Sequence, residues 1–425
     1  VRRLAAALPD GGPLINLCER RDRFLIAYCA ALVRGRTTLL PPSRAPLVVD
    51  EVAAQYSDSH RCDDEWVDRA LAGVPSAEPT AEPAVEPVPR IALGGIAEIA
   101  FTSGSTGAPK AHVKRWGTLL GSTAFNGARV RESLAPRYGA ARPWIVATVP
   151  PQHMYGTETS ILLPLAADMA VHAARPLFPA DVAAALDEVP APRVLVTTPV
   201  HLRALADSGQ QFPEVGAIVS ATAPLDRALA AAAEQAFGGV LLEMFGSTET
   251  CVIATRRTAR EDAWHLYPGV SVQPSHDGAA VDAPWFAGPA TLQDIVELVE
   301  SDRFVVRSRG ADMIEVAGKR ASLADLTRRL LGIAGVRDAV VFQADTGIVR
   351  RVAAFVVAPE LGADGILAAL GRGIDPAFLP RPLVLVPALP RNEVGKLTRE
   401  ALERLAAEHL HPAQGQAARA ADQRP

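Results

Sequence analysis

The run FTSGSTGAPK, from Phe101 to Lys110, ends an apolar stretch in Thr102 and continues through Ser103, Gly104, Ser105, Thr106 and Gly107. Glycine admits left-handed dihedrals and close approach, so such a loop can wrap its backbone N–H groups around phosphate oxygens. The hydroxyls add donors and Lys110 adds a cation. The spacing is not GxxxxGK[ST]: Gly104 and Gly107 stand too close and Pro109 interrupts, which argues against a P-loop kinase or NTPase. A second run, EMFGSTET from Glu243 to Thr250, also leaves an apolar stretch. Phe245 can stack on a base and Gly246 permits a tight turn. Thr248 can donate to a phosphate, and Glu249 offers a carboxylate to Mg2+; taken alone, the run also reads as an ordinary strand-exit turn. Asp294 and Arg309 flank a hairpin-like segment and suit a ribose diol and a phosphate respectively, or a surface ion pair. In PRNEVGKLTREAL, Lys396 follows Gly395 on a turn ahead of an amphipathic helix. It reads as a solvated lysine near a helix start or, because the helix dipole is mildly unfavourable for a cation there, as a charge held for another purpose.

Lysine is scarce. Of 43 basic residues only Lys110, Lys114, Lys319 and Lys396 are lysine. A chain that uses arginine wherever any cation serves keeps lysine where a compact ammonium on a flexible stem is needed. Lys110 and Lys396 fall inside the runs above; Lys114 and Lys319 read as contacts to phosphate or to a partner, or as solvated side chains.

The elements that must position these residues follow from texture. The 425 residues suffice for two or three domains, and 49% hydrophobic with 21% charged residues is the composition of a soluble globular chain. A net charge of −4 gives no nucleic-acid footprint or polybasic membrane patch. No long uncharged apolar run or signal-peptide pattern is present, and Cys18, Cys29, Cys62 and Cys251 lack zinc spacing. The expectation is a cytoplasmic protein with reduced thiols and no membrane span. Residues 1–74 read as a small αβ unit packed on something larger, and the proline-rich 75–90 as an extended linker. From 91 to about 250, strand-like runs at 96–103, 144–150, 193–199 and 217–222 alternate with helical stretches at 181–187 and 225–237. That alternation predicts a mostly parallel, helix-covered sheet. Residues 251–308 read as antiparallel hairpins. Beyond 310 come a helix over 323–331, strands over 338–343 and 351–357, and a helix over 398–408. The polar tail 411–425 reads as disordered.

Four runs in this order resemble the adenylate-forming superfamily of acyl-CoA and aryl-CoA synthetases, peptide-synthetase adenylation domains and luciferases. TSGSTGAPK looks like its phosphate loop and MFGSTE like its aromatic-Gly-x-Thr-Glu motif. RGADMIEVAGKR is similar to its hinge and C-terminal opening, and PRNEVGKLTREAL to its catalytic-lysine motif. PPQHMYG resembles its acid-pocket segment and SATAPL its adenine-side loop. The likeness spans about residues 91–408. Within the superfamily the chain most resembles the short ligases of xanthomonadin and aryl polyene pigment clusters, which load a hydroxybenzoate-like acid onto an acyl carrier protein.

The resemblance implies an α/β fold: a large N-terminal domain (1–309) of helix-covered mixed sheets with a small β-hairpin or barrel-like subdomain, then a small mobile α+β domain (310–410). It implies ATP and Mg2+ as cofactors, an aryl or acyl carboxylic acid as substrate, and an acyl carrier protein or CoA as acceptor. By it, loop 102–110, Ala221, Thr222, Phe245, Gly246, Ser247, Asp294 and Arg309 bind nucleotide. Thr248, Glu249 and Lys396 are catalytic, with Glu249 on Mg2+. His153, Tyr155 and Gly156 line the acid pocket, although His153 also reads as a satisfied core histidine. Gly310 and Ala311 form the hinge, and Gly318 lines the thiol tunnel. Ala311 stands where the family commonly has aspartate or lysine, and Gln293 where glycine usually precedes the aspartate. A nucleotide- or acyl-adenylate-binding protein without chemistry is the reading from another class, and it leaves Lys396 without a purpose.

Overall fold

A computed structural model describes residues 1–73, 88–102, 109–275, 278–309, 313–316, 319–345, 350–372, 374, 376–393 and 395–410. The chain is mixed α/β, with several mixed sheets in a large N-terminal part and a smaller C-terminal α+β part. It forms two compact units: Val1–Ala221 with Leu229–Ser271 and Asp282–Ala290, and the remainder. The linker expected over 75–90 lies outside the described residues up to 87, as do Ser103 to Gly107, Gly310, Ala311, Gly318 and the tail 411–425.

In the first unit, strands β1 (Leu14–Asn16), β2 (Thr38–Leu40), β3 (His60–Cys62), β4 (Ile96–Thr102) and β5 (Lys110–Arg115) form one sheet in the order β3-β1-β2-β4-β5. Residues 1–74 are therefore not a separate unit docked on a larger one. Their strands continue the sheet that carries the first glycine-rich loop, because β2 pairs in parallel with β4. Phe24, Tyr28, Trp116 and Leu119, buried in one cluster, come from the helices Arg21–Val33 and Trp116–Tyr138.

A second sheet runs through β12 (Trp264–Leu266), β11 (Cys251–Arg256), β10 (Val240–Ser247), β9 (Ala217–Ser220), β8 (Arg193–Thr197), β6 (Trp144–Ala147) and β7 (Ala170–Val171). Strands β6, β8, β9 and β10 are mutually parallel where they neighbour one another. Their centres are buried and apolar, as in Ile145–Ala147, Val194–Val196 and Ala217–Val219, the pattern of parallel strands covered on both faces. In open α/β sheets, ligands bind at the carboxyl ends of parallel strands. His153–Gly156 follow β6, Ala221 and Thr222 follow β9, and Thr248–Glu249 follow β10.

The second unit chiefly holds β13 (Ser271–Ser275), β14 (Gly278–Asp282) and β15 (Ala290–Leu292) in one sheet, and the antiparallel hairpin β16 (Asp294–Glu300) and β17 (Arg303–Arg309). A further hairpin pairs β18 (Met313–Val316) with β19 (Lys319–Ser322). Strands β20 (Asp338–Asp345), β21 (Arg350–Val357) and β22 (Leu383–Leu385) form its last sheet, whose two faces bury separate apolar clusters. Leu326, Leu330, Ile366 and Leu370 belong to one cluster; Leu402 and Leu405 of the helix Arg399–Leu410 pack on the other. Among the described residues no helix is long and apolar enough to cross a membrane.

Candidate active site

Strands β4 and β5 pair so that Thr102 faces Lys110 across the ladder. Both rims of the glycine-rich loop are thus fixed by backbone pairing. Just inside, His112 places Nε2 2.9 Å from Thr102 Oγ1 and Nδ1 3.7 Å from Glu249 Oε1. Burial holds the His112 imidazole below its usual range, with Lys110 and Lys114 acting in the same sense and Glu249 opposing. The ring thus hydrogen-bonds the loop rim and stands beside the carboxylate.

Glu249 sits at the tip of the β10–β11 hairpin. The register pairs Ser247 with Cys251, leaving Thr248, Glu249 and Thr250 as the connection. A bulge between Phe245 and Gly246 re-aims the strand end. A Cβ on Gly246 would come 2.0 Å from the Cys251 carbonyl oxygen, so glycine is required by that close approach. Cys251 itself holds φ at 60°, a left-handed conformation unusual for a residue with a side chain. Thr250, fully buried, accepts from the Ser247 amide (3.0 Å), and its amide donates to Ser247 Oγ (3.3 Å). The Glu249 carboxyl group is 41% exposed. Burial pushes its affinity for a proton upward, but its own backbone N–H, the Ser247 hydroxyl, His112 and Lys110 outweigh this and hold it below the usual carboxylate range.

Phe245 is half-buried, with its ring 5.1 Å from that of Trp264, on which the Arg256 guanidinium stacks at 4.2 Å. Ala221 is buried directly after β9, and Thr222 holds φ at 82°. Strain in a side-chain-bearing residue is a recurrent mark of ligand-contacting turns.

The acid-pocket candidates follow β6. His153 stands at the N-cap position of the short helix Met154–Thr157, with no capping bond from its side chain. A Cβ on Gly156 would meet the Pro150 carbonyl oxygen at 1.9 Å, so this glycine too is dictated by close approach. Tyr155 is buried, and its hydroxyl lies 3.0 Å from the Thr197 carbonyl and 2.9 Å from that of Val219. The phenol therefore braces the ends of β8 and β9; only its ring is left for a substrate. Fully buried Arg21 donates to the carbonyls of Val149 and Ala174, pinning the chain where this segment begins.

In the second unit, Asp294 and Arg309 are register partners on β16 and β17, which explains their sequence spacing. Lys396 is exposed on a turn closed by mutual bonds: its amide donates to Asn392 Oδ1, and the Asn392 amide donates to its carbonyl, both at 2.8 Å. Arg391 anchors that turn through a bidentate pair with Asp338 at 2.7 Å.

Lys114 is neither solvated nor placed to meet a partner. It is 3% exposed and donates to the Glu249 carbonyl oxygen at 2.7 Å. His112, Glu98 and Glu158, all buried around this turn, were not among the sequence candidates. Only the folded strand reveals them: β5 buries His112 and Lys114 while leaving Val113 53% exposed. That inverts the usual alternation and marks polar work on the inner face.

The profile of the AMP-binding enzyme family matches residues 24–281, more than half of the chain. The chain belongs to the AMP-binding enzyme family. It is 31% identical over 315 residues to a 4-coumarate–CoA ligase of Halorhodospira halophila, spanning 70% of this chain and 73% of that one. It is 28% identical over 356 residues to a p-hydroxybenzoic acid–AMP ligase of Mycobacterium tuberculosis, spanning 73% of this chain and 48% of that one. Its fold is similar to that of a benzoate CoA ligase from Burkholderia xenovorans, with a TM-score of 0.73 at 19% identity over 94% of this chain and 92% of that one. An o-succinylbenzoate coenzyme A synthetase of Bacillus subtilis, solved with ATP and magnesium, gives 0.74 at 19% identity over 94% and 91%. This AMP-binding enzyme is accordingly an AMP-forming ligase that uses ATP to activate a carboxylic acid.

Proposed function

We propose that this AMP-binding enzyme activates a hydroxybenzoate-like aryl acid and passes it to the phosphopantetheine thiol of an acyl carrier protein, as pigment-cluster ligases do. In the first step the acid's carboxylate oxygen attacks the α-phosphorus of ATP, and the bond to pyrophosphate breaks. In the second, the thiol sulfur attacks the acyl carbon, AMP leaves and the thiol proton passes to solvent. Such transfers depend on positioning and charge stabilisation more than on nucleophilic side chains. The loop from Thr102 to Lys110 would hold the β- and γ-phosphates, and Thr248 would meet the α-phosphate. Asp294 with Arg309 would take the ribose, and Lys396 would bridge the attacking carboxylate and the α-phosphate. The residues 310–410 would act as the mobile part, turning about Gly310 and Ala311 to withdraw Lys396 and open a thiol tunnel past Gly318.

Mg2+ binds through one or two carboxylates together with substrate phosphates, so a single ionised carboxylate beside a phosphate loop suits it. Glu249 is that group, and the bound ion would supply charge neutralisation on the phosphates. The observation that carries the proposal is the nearness of loop rim and carboxylate: His112 hydrogen-bonds Thr102 at the rim and lies 3.7 Å from Glu249. The aromatic acids named for the relatives favour an aryl substrate. The CoA ligases among them favour a second reading, in which free CoA is the acceptor.

The test offers ATP, Mg2+, 4-hydroxybenzoate, benzoate, a cinnamic acid and a fatty acid, with holo-carrier protein and CoA in competition. Mass spectrometry of the products should show the hydroxybenzoyl group on the carrier. Thioester formed on CoA alone would transfer the proposal to the second reading, and preference for the fatty acid would end the aryl assignment.

A further inference from the structure

Lys114 is buried in a protein that uses arginine for almost every other cation, and buried lysines are rare unless paired. Two buried carboxylates act on it: Glu98 of β4, fully buried, and Glu158, 2% exposed, on the π-helical turn Glu158–Leu162. The Tyr28 hydroxyl donates to Glu98 Oε2 at 2.8 Å. Glu158 Oε2 accepts from Asn126 Nδ2 (3.2 Å), from the Ser122 hydroxyl (2.9 Å) and from the Val252 amide (3.1 Å).

These bonds converge on one piece of backbone. The Lys114 ammonium takes the carbonyl of Glu249, and the Glu158 carboxylate takes the amide of Val252. Between the two lies Cys251 at φ 60°, a conformation that persists only where the surroundings over-determine it. Single-turn π insertions are frequent at functional sites, and this one directly continues the His153–Thr157 segment.

We propose that Lys114 and Glu158 are positioning residues, clamping the Thr248–Cys251 turn from its carbonyl and amide sides so that Thr248 and Glu249 are held in register for adenylation. This rests on the assignment of Thr248 and Glu249 to that reaction. Neither Lys114 nor Glu158 need touch a substrate. A structural role alone, in which Lys114 merely balances buried acids, makes a different forecast.

The comparison uses wild type, Lys114→Met and the double variant Lys114→Met with Glu98→Gln. Each is read by thermal midpoint, acid-dependent pyrophosphate release against Mg2+ concentration, and hydrogen exchange over 244–254. The single variant should melt lower, and removing the Glu98 charge should restore much of the midpoint. In the double variant kcat should stay at least about 30-fold below wild type, with KM for the acid within about two-fold. Its Mg2+ requirement should rise and amides 248–252 should exchange faster. A double variant with wild-type kcat and wild-type exchange at 248–252 would overturn the clamp. If wild type releases no pyrophosphate with any acid, the adenylation reading has failed, while the exchange data still decide whether Lys114 holds the turn. Should the methionine variants not fold, near-isosteric Glu158→Gln serves: faster exchange at Val252 with reduced kcat supports the clamp, and no change in either overturns it.

Discussion

Glu249 is the residue whose surroundings speak most directly to its task. Its own amide, the Ser247 hydroxyl, His112 and Lys110 keep it ionised below the ordinary carboxylate range. Glu249→Gln keeps the shape and removes the charge; pyrophosphate release should fall by about 10²–10³, since one preorganised electrostatic contact is worth roughly 3–4 kcal/mol. The Mg2+ dependence of the residual rate should move to higher concentration. Lys396 makes a complementary forecast. Lys396→Ala should abolish adenylation yet leave thioester formation from supplied acyl-adenylate intact, as read by a two-stage assay; equal loss of both half-reactions would remove the bridging role. Lys396 stood out as a candidate because a lysine at an unfavourable helix end is unusual in a lysine-poor chain. His112 and Lys114 did not, because their worth lies in contacts to residues more than 130 positions away, as in the Lys114–Glu249 bond.

At the scale of elements, the β10–β11 hairpin is the device that presents the turn. Its geometry depends on Gly246, where an added Cβ would meet the Cys251 carbonyl at 2.0 Å. Gly246→Ala should lower stability by about 1–3 kcal/mol, the cost of forcing strand ends apart, and should depress adenylation beyond what the loss of folded protein explains. A thermal melt and a rate normalised to folded protein check both parts. The short valine-rich strands and alanine-rich helices of the central sheet were readable from period and composition, because burial on both faces leaves an unbroken apolar run. The helix Trp116–Tyr138 was not: it buries Ser122, Thr123 and Asn126, so polar residues on its inward face blur the apolar stripe. Ser122 and Asn126 face inward to bond Glu158, and Asn126 also accepts from the Tyr267 hydroxyl.

At the scale of the whole molecule, a buried acid couples stability to pH. Burial lifts Glu98 from 4.5 to about 7, against the opposing pull of Tyr28 and Lys114. The folded chain thus holds a proton that the unfolded chain releases. The associated stability is complete below about pH 4.5, declines as pH rises to about 7 and is level above that. Glu98→Gln should erase this slope, so that its stability relative to wild type increases between those limits by on the order of 3 kcal/mol. Parallel melts from pH 4.5 to 8 would show it, and a difference independent of pH would refute it. The overall class was visible from four ordered runs, whereas the union of residues 1–74 with the loop-bearing sheet was not, since the parallel β2–β4 pairing leaves no local trace. Acid-dependent exchange of labelled pyrophosphate into ATP, with no thiol present, isolates acyl-adenylate formation and reads the proposed preference for an aryl acid. Hydroxybenzoate should support exchange, and Glu249→Gln should depress it by about 10²–10³; exchange with none of the acids, while nucleotide still binds, would rule out acyl-adenylate formation by this enzyme.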